Sequence, residues 1–293
     1  MTLFPCGADD KGQLGLGTSG GPAGGTLTSL GEVSLPCGLV PVAVACGVDH
    51  TVVLTTDGKL LACGNNDRGQ LGLASNDDQS TFQPMHWHDS AATQVACGGY
   101  HTCVVTEGGA LFTCGWNSSY GQLGLGDDPR LDDDQTTLQR VELPGGAEAA
   151  QVACGGSHTV VLGADGALYS CGYNGLGQLG LGSKGEDQRT LQPVALPAGA
   201  KVAHVACGAH HTVVLTTDGA LFACGFNGLG QLGLGHRTDQ PTLQRVALPD
   251  EAGGRPTRVA CCGCTRRRTR TRDSQTSRPL IIHHSSLITN HPC

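Results

Sequence analysis

The sequence predicts an all-β protein built from a repeat of about 50 residues, and three observations support this prediction. Glycine supplies 46 of the 293 residues, which is too many for helices, where each interior glycine costs about 1 kcal/mol relative to alanine. Apolar runs of strand length flank Asp-Gly pairs, which favour hairpin turns because those turns need positive φ. Long segments of the chain also recur at regular intervals, as in repeat proteins.

Two recurring segments define the repeat. The first is Ala-Cys-Gly-x-x-His-Thr followed by an apolar run, and its copies contain His50, His101, His158 and His211. The second runs from Cys-Gly to Gly-Gln-Leu-Gly, and its copies end at Gly72, Gly124, Gly180 and Gly233. The first cysteines of the two segments lie 17 residues apart in every unit. The chain therefore holds four complete units, preceded by an isolated copy of the second segment at residues 6–17.

Each unit predicts four short strands. In the first unit these begin with Val42–Cys46, followed by Thr51–Thr55 and Lys59–Cys63 around a turn at Asp57-Gly58, with a fourth strand after the glycine-rich segment. The apolar runs are continuous rather than alternating, which indicates sheets covered on both faces. Four-stranded sheets packed face to face around an axis meet this requirement. We therefore predict a β-propeller with four complete blades and a partial blade at each end, and leave closure of the ring open.

The chain divides into three predicted regions: a partial first blade at 1–35, the propeller repeats at 36–260, and an atypical basic tail at 261–293. In the tail, arginines replace the His-Thr-Val-Val-Leu that is due after Cys261. We hypothesise out-of-frame translation from about residue 262, because Val-Val encoded GTC-GTC reads as Arg-Arg when shifted by one base. A genuine, disordered basic tail is the alternative.

With these motifs in hand, residues 4–261 resemble the regulator-of-chromosome-condensation repeat family. The resemblance implies a seven-bladed propeller closed by pairing of strands from the two chain ends, so four units suggest a truncated or frame-disrupted member. Members of that family include an exchange factor for the Ran GTPase, interaction modules attached to ubiquitin ligases or kinases, and a plant UV-B photoreceptor. The presence of only two tryptophans, Trp87 and Trp116, argues against a photoreceptor built on clustered tryptophans.

The candidate chemical sites have structural explanations. Each Cys-x3-His pair looks like two metal ligands, but the pairs occur one per blade, whereas a structural zinc site needs four ligands at one point. The dinucleotide-like Gly175–Gly180 lies between strands rather than before a helix. We therefore expect no catalytic, cofactor or metal residues. The repeated histidines and glycines are predicted to be structural, with each histidine hydrogen-bonded to backbone.

An acidic loop is the one candidate for partner docking, and a simple solvated loop is the alternative. Its residues are Asp127, Asp128, Asp132, Asp133 and Asp134.

Charge and hydropathy narrow the function. Residues 1–254 carry 24 acidic and 10 basic side chains, which disfavours direct nucleic-acid binding by the repeats. We expect neither a signal peptide nor a membrane span, and hence an intracellular protein, cytoplasmic or nuclear, with reduced cysteines. The prediction is a monomeric, non-enzymatic scaffold that binds a protein partner. The alternative is a guanine-nucleotide exchange factor whose partner is a Ran-like small GTPase.

Overall fold

The structure, a computed structural model, describes residues 2–17, 25–86, 90–117, 120–127, 133–248, 256–261 and 287–289. The chain opens with two small two-stranded sheets. One pairs β1 (Thr2–Leu3) with β4 (Val33–Ser34), and the other pairs β2 (Gly7–Ala8) with β3 (Thr26–Leu27). Single 3-10 turns follow at Pro36–Gly38 and, later in the chain, at Pro144–Gly146.

Four antiparallel four-stranded sheets make up the body, each formed by four consecutive strands in sequence order. We call them blades 1 to 4. Blade 1 contains β5 (Pro41–Cys46), β6 (His50–Thr55), β7 (Leu60–Gly64) and β8 (Gln79–Pro84). Blade 2 contains β9 (Ala92–Cys97), β10 (His101–Thr106), β11 (Leu111–Gly115) and β12 (Gln135–Val141). Blade 3 contains β13 (Ala149–Cys154), β14 (His158–Gly163), β15 (Leu168–Gly172) and β16 (Gln188–Val194). Blade 4 contains β17 (Val202–Cys207), β18 (His211–Thr216), β19 (Leu221–Gly225) and β20 (Gln240–Val246).

The apolar cores lie between neighbouring blades. Side chains alternate along a strand, so successive residues of β14 enter different cores: Val160 packs with blade 4 residues and Val161 with blade 2 residues. Each second strand is therefore covered on both faces, which explains its continuous apolar sequence. The predicted all-β repeat fold with four complete blades is confirmed.

The array of blades is open among the described residues. No strand joins the first sheet to the last. At one end, β5 leaves Val44 49% exposed, whereas its repeat equivalents Val95, Val152 and Val205 are 8%, 1% and 2% exposed. At the other end, β21 (Arg258–Ala260) packs Val259 against blade 4 and pairs with β22 (Leu287–Thr289).

The arginine-rich segment after Cys261 lies outside the described residues, except for the backbone of β22. The origin of that segment therefore stays a hypothesis. The three-region division of the chain is likewise retained as a prediction. Within it, the first described strand of blade 1 starts at Pro41.

Candidate protein-docking face

The repeated histidine and threonine form a hydrogen-bonded link between neighbouring blades. Nε2 of His101 in blade 2 lies 3.0 Å from Oγ1 of Thr159 in blade 3. The same hydroxyl donates to the carbonyl oxygen of Gln122 in blade 2 at 2.7 Å. Since a hydroxyl has one hydrogen to donate, it accepts from the histidine, and Nε2 carries the proton. The pairs His50–Thr102 and His158–Thr212 repeat this contact at 3.1 Å each.

The partner of each of these three histidines is thus a threonine hydroxyl in the next blade, not the backbone near its own turn as the sequence suggested. His211 differs, because its Nε2 has no hydrogen-bond partner among the described residues. Burial, with smaller contributions from neighbouring histidines, lowers the pKa of His50 and His158 to about 3 and that of His211 to about 4. These three imidazoles are neutral at physiological pH.

The second cysteine of each unit and the final glycine of the Gly-Gln-Leu-Gly turn meet at the same interface. The Cys224 thiol donates to the carbonyl oxygen of Gln178 at 3.6 Å. Gly180, with φ at 72°, lies where an added Cβ would be 3.2 Å from Sγ of Cys224. Gly72 and Gly124 face Cys114 and Cys171 in the same way, whereas Gly233 faces no cysteine. Gly72, Gly124 and Gly180 therefore lie where two blades approach closely.

The strand order places two loops of every blade on one face. In an antiparallel sheet, the loops after the first and third strands leave from the same end, and the turn after the second strand leaves from the opposite end. The loop after the first strand carries Tyr100 and His210, and the loop after the third strand carries Trp116, Tyr120 and Tyr173. All five side chains are half-buried.

These five side chains form a continuous aromatic row across blades 2, 3 and 4. Ring centroids are separated by 6.1 Å from Tyr100 to Trp116, 5.5 Å to Tyr120, 5.0 Å to Tyr173 and 6.4 Å to His210. Edge-to-face and tilted rings at these distances attract one another. Further along the same face Leu229, at the repeat position of Tyr120, is 79% exposed.

The aromatic row replaces a hydrogen-bonded pair found in blade 1. There, Gln70 Nε2 donates to Asn65 Oδ1 at 2.5 Å. Trp116 and Tyr173 occupy the position of Asn65 in blades 2 and 3, and the buried Nε2 atoms of Gln122 and Gln178 have no partner among the described residues. An unpaired buried amide costs free energy. Blades 2 and 3 thus carry aromatic rings at the expense of a buried hydrogen bond.

The row ends at a charged border in blade 1. The guanidinium of Arg68 lies 5.9 Å from the Trp116 ring centroid, within cation–π range, and also pairs with Asp134 at 3.2 Å. Asp49 and Asp67 lie beyond it and, after the larger effect of Asp78, help to raise the pKa of Lys11. The face therefore changes from charged in blade 1, where aspartates outnumber Lys11 and Arg68, to aromatic in blades 2 to 4.

Of the five residues of the predicted acidic loop, the structure describes Asp127, Asp133 and Asp134, and the docking role of the loop stays a prediction. Asp127 pairs with Arg189 at 2.8 Å, and Asp134 accepts from the backbone of Asn117 at 3.3 Å. The repeat equivalents of Asp134, such as Asp187, cap the matching asparagine in the same way. The Asp133 carbonyl accepts from Gln135, and Asp128 and Asp132 lie outside the described residues.

The repeat motifs do not predict the aromatic row, because its residues lie outside the repeated positions. The rings occupy the variable residues after Cys-Gly and before His. The signal available was the change from Asn65 to Trp116, Tyr173 and Phe226 at one repeat position.

A family model, described as RCC1-like domain, matches residues 2–275. The chain belongs to the RCC1-like domain family. This RCC1-like chain is 35% identical over 252 residues to the Arabidopsis thaliana ultraviolet-B receptor UVR8, a match that covers 86% of the chain and 55% of the receptor. It thus spans about half the length of that relative. The predicted resemblance to regulator-of-chromosome-condensation repeats is confirmed.

Solved structures of related propellers superpose on the RCC1-like chain. The human WBSCR16 structure is 26% identical with a TM-score of 0.78, covering 89% of this chain and 65% of that one. The structure of Prp20p from Saccharomyces cerevisiae, described with its binding properties to Gsp1p and histones, is 25% identical with a TM-score of 0.68 and covers 82% and 58%. Among the described residues, no helix has both the length and the apolar character to cross a membrane.

Proposed function

We propose that the RCC1-like chain is a non-enzymatic scaffold that binds a protein through the aromatic row of blades 2 to 4. The observation that supports this proposal is the replacement of the hydrogen-bonded Asn65–Gln70 pair of blade 1 by half-buried aromatic rings in blades 2 and 3. Features that reduce local stability without a structural gain are expected at functional sites. Half-buried aromatic side chains are also the residues that contribute most to protein interfaces.

The charge of the face indicates the kind of partner segment. Asp49 and Asp67 flank the row at blade 1, and residues 1–254 carry 14 more acidic than basic side chains (24 against 10). A segment with apolar or aromatic anchors and neighbouring lysines or arginines complements this surface. The same excess of acidic side chains supports the proposal that the repeats do not bind nucleic acid directly, because they would repel its phosphates.

The test uses a photo-crosslinking residue in place of Tyr120, with the same residue at Glu107 as control. Glu107 is exposed in the turn at the opposite end of blade 2. Crosslinked proteins are identified by mass spectrometry, and each is then purified and titrated calorimetrically. We expect a protein that reacts from position 120 and not from 107.

Tyr173→Asn is the decisive variant in that titration. It introduces the blade 1 residue, so the Gln178 amide regains a hydrogen-bond partner while the fourth of the five rings in the row is lost. We expect binding to weaken at least tenfold while the free energy of unfolding is unchanged or increases by about 1 kcal/mol. Glu107→Ala should leave affinity unchanged. Equal affinity of wild type and Tyr173→Asn would place the docking site elsewhere.

Exchange of guanine nucleotide on a Ran-like small GTPase is the second function to test, because the family resemblance implies it for some members. The assay follows release of a fluorescent nucleotide from the purified GTPase. Acceleration well above the spontaneous rate would replace the pure-scaffold proposal. No acceleration, together with a crosslinked partner of another class, would support it.

We also propose an intracellular location, in the cytoplasm or nucleus. The structure describes eleven cysteine side chains, and all of them are free thiols, which suits a reducing compartment. Monomeric behaviour remains part of the proposal and is checked by sedimentation of the purified chain.

A further inference from the structure

The interface between blades 2 and 3 holds a cluster of three metal-ligating side chains. A ring nitrogen of His101 and the sulfur atoms of Cys103 and Cys154 all lie within 4.8 Å of one another. His101 and Cys103 are fully buried, and Cys154 is partly exposed. In the described part of the chain, no other group of three or more histidine, cysteine or carboxylate ligands meets this spacing.

Cys103 is what distinguishes this interface from the others. It occupies the repeat position of Val52, Val160 and Val213, all of which are buried. Each of the other interfaces also has a histidine from one blade and a cysteine from the next, but it has valine at the position of Cys103. Within one blade, the Cys-x3-His pair supplies only two ligands. Stacking instead joins a histidine of one blade to a cysteine of the next, and Cys103 adds the third ligand.

A hydroxyl oxygen and a cavity adjoin the three ligands. Oγ1 of Thr159 lies 3.8 Å from Cys103 Sγ and is a further oxygen donor at the same place. Cys154 also lines a cavity of about 150 Å³ on the inner side of the blades, together with Cys97 and Cys207.

We propose that His101, Cys103 and Cys154 bind one thiophilic metal ion, Cu⁺ or Zn²⁺, and so clamp blade 2 to blade 3. Soft thiolate ligands with an imidazole select these ions over hard cations. Three protein donors complete a trigonal Cu⁺ site, whereas Zn²⁺ takes a fourth ligand in structural sites. Zn²⁺ would therefore also need Thr159 or water.

Binding releases the thiol protons to solvent and involves no change in oxidation state. The ring nitrogen that binds the ion must carry no proton. Ligation through Nδ1 of His101 keeps the hydrogen bond to Thr159, whereas ligation through Nε2 moves the proton to Nδ1 and gives that bond up.

The experiment compares wild type with Cys103→Val, which inserts the residue found in the other three blades. Both proteins are stripped of metal under reducing, anaerobic conditions and titrated with Cu⁺ or Zn²⁺ against a chromophoric chelator. Cys207→Ala is the control, because Cys207 has the repeat position of Cys154 at an interface that has Val160. X-ray absorption of the retained ion reports its sulfur and nitrogen ligands.

We expect wild type and Cys207→Ala to retain one ion more than Cys103→Val, with two sulfur ligands and one nitrogen ligand. The titration in which the additional ion is retained, with Cu⁺ or with Zn²⁺, shows which metal the site binds. Equal retention by all three proteins, or loss in Cys207→Ala as well, overturns the site. If circular dichroism shows that Cys103→Val does not fold, Cys154→Ala is used for the same comparison.

Discussion

At the scale of single residues, the threonine that follows the repeated histidine in blades 2, 3 and 4 makes two contacts across an interface. Thr159 accepts from His101 and donates to the carbonyl of Gln122, and all three residues are almost completely buried. Both of the groups that it satisfies belong to the preceding blade. The threonine therefore joins blade 3 to strand β10 and to the loop after β11 of blade 2.

Thr159→Val removes this link while keeping the shape of the side chain. The Nε2–H of His101 and the carbonyl of Gln122 then lose a buried partner, and we expect a loss of about 2–4 kcal/mol in the free energy of unfolding. Urea denaturation measures it. Thr190→Val, at an exposed threonine of the same blade, should change stability by less than about 0.5 kcal/mol. Similar values for the two variants would contradict the link.

The buried histidines give a pH dependence of defined sign. The pKa of His158 is about 3 in the folded chain, against about 6.5 in an unfolded one. Between these values the unfolded chain binds the extra proton, so stability is fully present above pH 6.5 and falls as the pH is lowered. Between pH 6 and 5, each such histidine contributes a slope of about 1.4 kcal/mol per pH unit.

The measurement is the urea unfolding free energy of wild type and His158→Gln at several pH values from 7 to 5. The variant should be less stable at pH 7. Its free energy of unfolding should nevertheless fall less steeply as the pH is lowered, because the variant takes up about one proton fewer on unfolding. Parallel pH profiles would show that His158 takes up its proton in the folded chain.

At the scale of elements, glutamine side chains connect the first strands of neighbouring blades. The Gln151 amide of β13 accepts from the backbone N–H of Val205 in β17 at 3.1 Å and donates to its carbonyl at 3.4 Å. Gln94 makes the same two bonds to Val152. Ala43 and His204 occupy this position in blades 1 and 4. The glutamine thus acts as a short bridge between strands of separate sheets.

Gln151→Leu should weaken the contact between blades 3 and 4 by about 1–3 kcal/mol, because the backbone groups of Val205 lose their partners. Gln192→Leu in the fourth strand of blade 3 is the control, since Gln192 is half-buried at most and bonds only within its own strand. Hydrogen exchange of the Val205 amide gives a local readout. Unaltered protection of that amide in Gln151→Leu would show that the bridge has no energetic role.

The strands were predictable from local chemistry, whereas the contacts between blades were not. Asp57-Gly58 and its copies determine hairpins on their own, and Gly58 does adopt a positive φ of 74°. The partner of His101 lies 58 residues further along the chain. Its identity depends on how far one sheet rotates relative to the next, which the spacing of a repeat does not reveal. For the same reason the proximity of Cys103 to Cys154 could not be read from the sequence.

At the scale of the whole molecule, the exposed face of blade 1 differs from its buried equivalents in the other blades. Val44 and Val205 have the same place in the repeat but are 49% and 2% exposed. Apolar side chains on an exposed sheet favour association with other sheets. At this end of the array, the same apolar side chain therefore contributes less to stability and more to association than it does inside the array.

Val44→Thr and Val205→Thr test this difference with the same substitution. The buried hydroxyl at position 205 should cost about 1–3 kcal/mol, and the exposed one at 44 less than about 0.5 kcal/mol. Val44→Thr should also reduce self-association at high concentration, measured by light scattering. A large loss of stability in Val44→Thr would mean that this face is covered in solution.

The links through threonine, cysteine and glutamine all join one blade to the next and none reaches further. Such a molecule behaves as a one-dimensional chain of coupled units, in which stability is the sum of each unit and its nearest-neighbour interfaces. Blades 2 and 3 each have two intact neighbours, whereas an end blade can fray without disturbing the centre. Because every interface uses the same contacts, whole repeats could be added or lost at an end without redesigning those that remain.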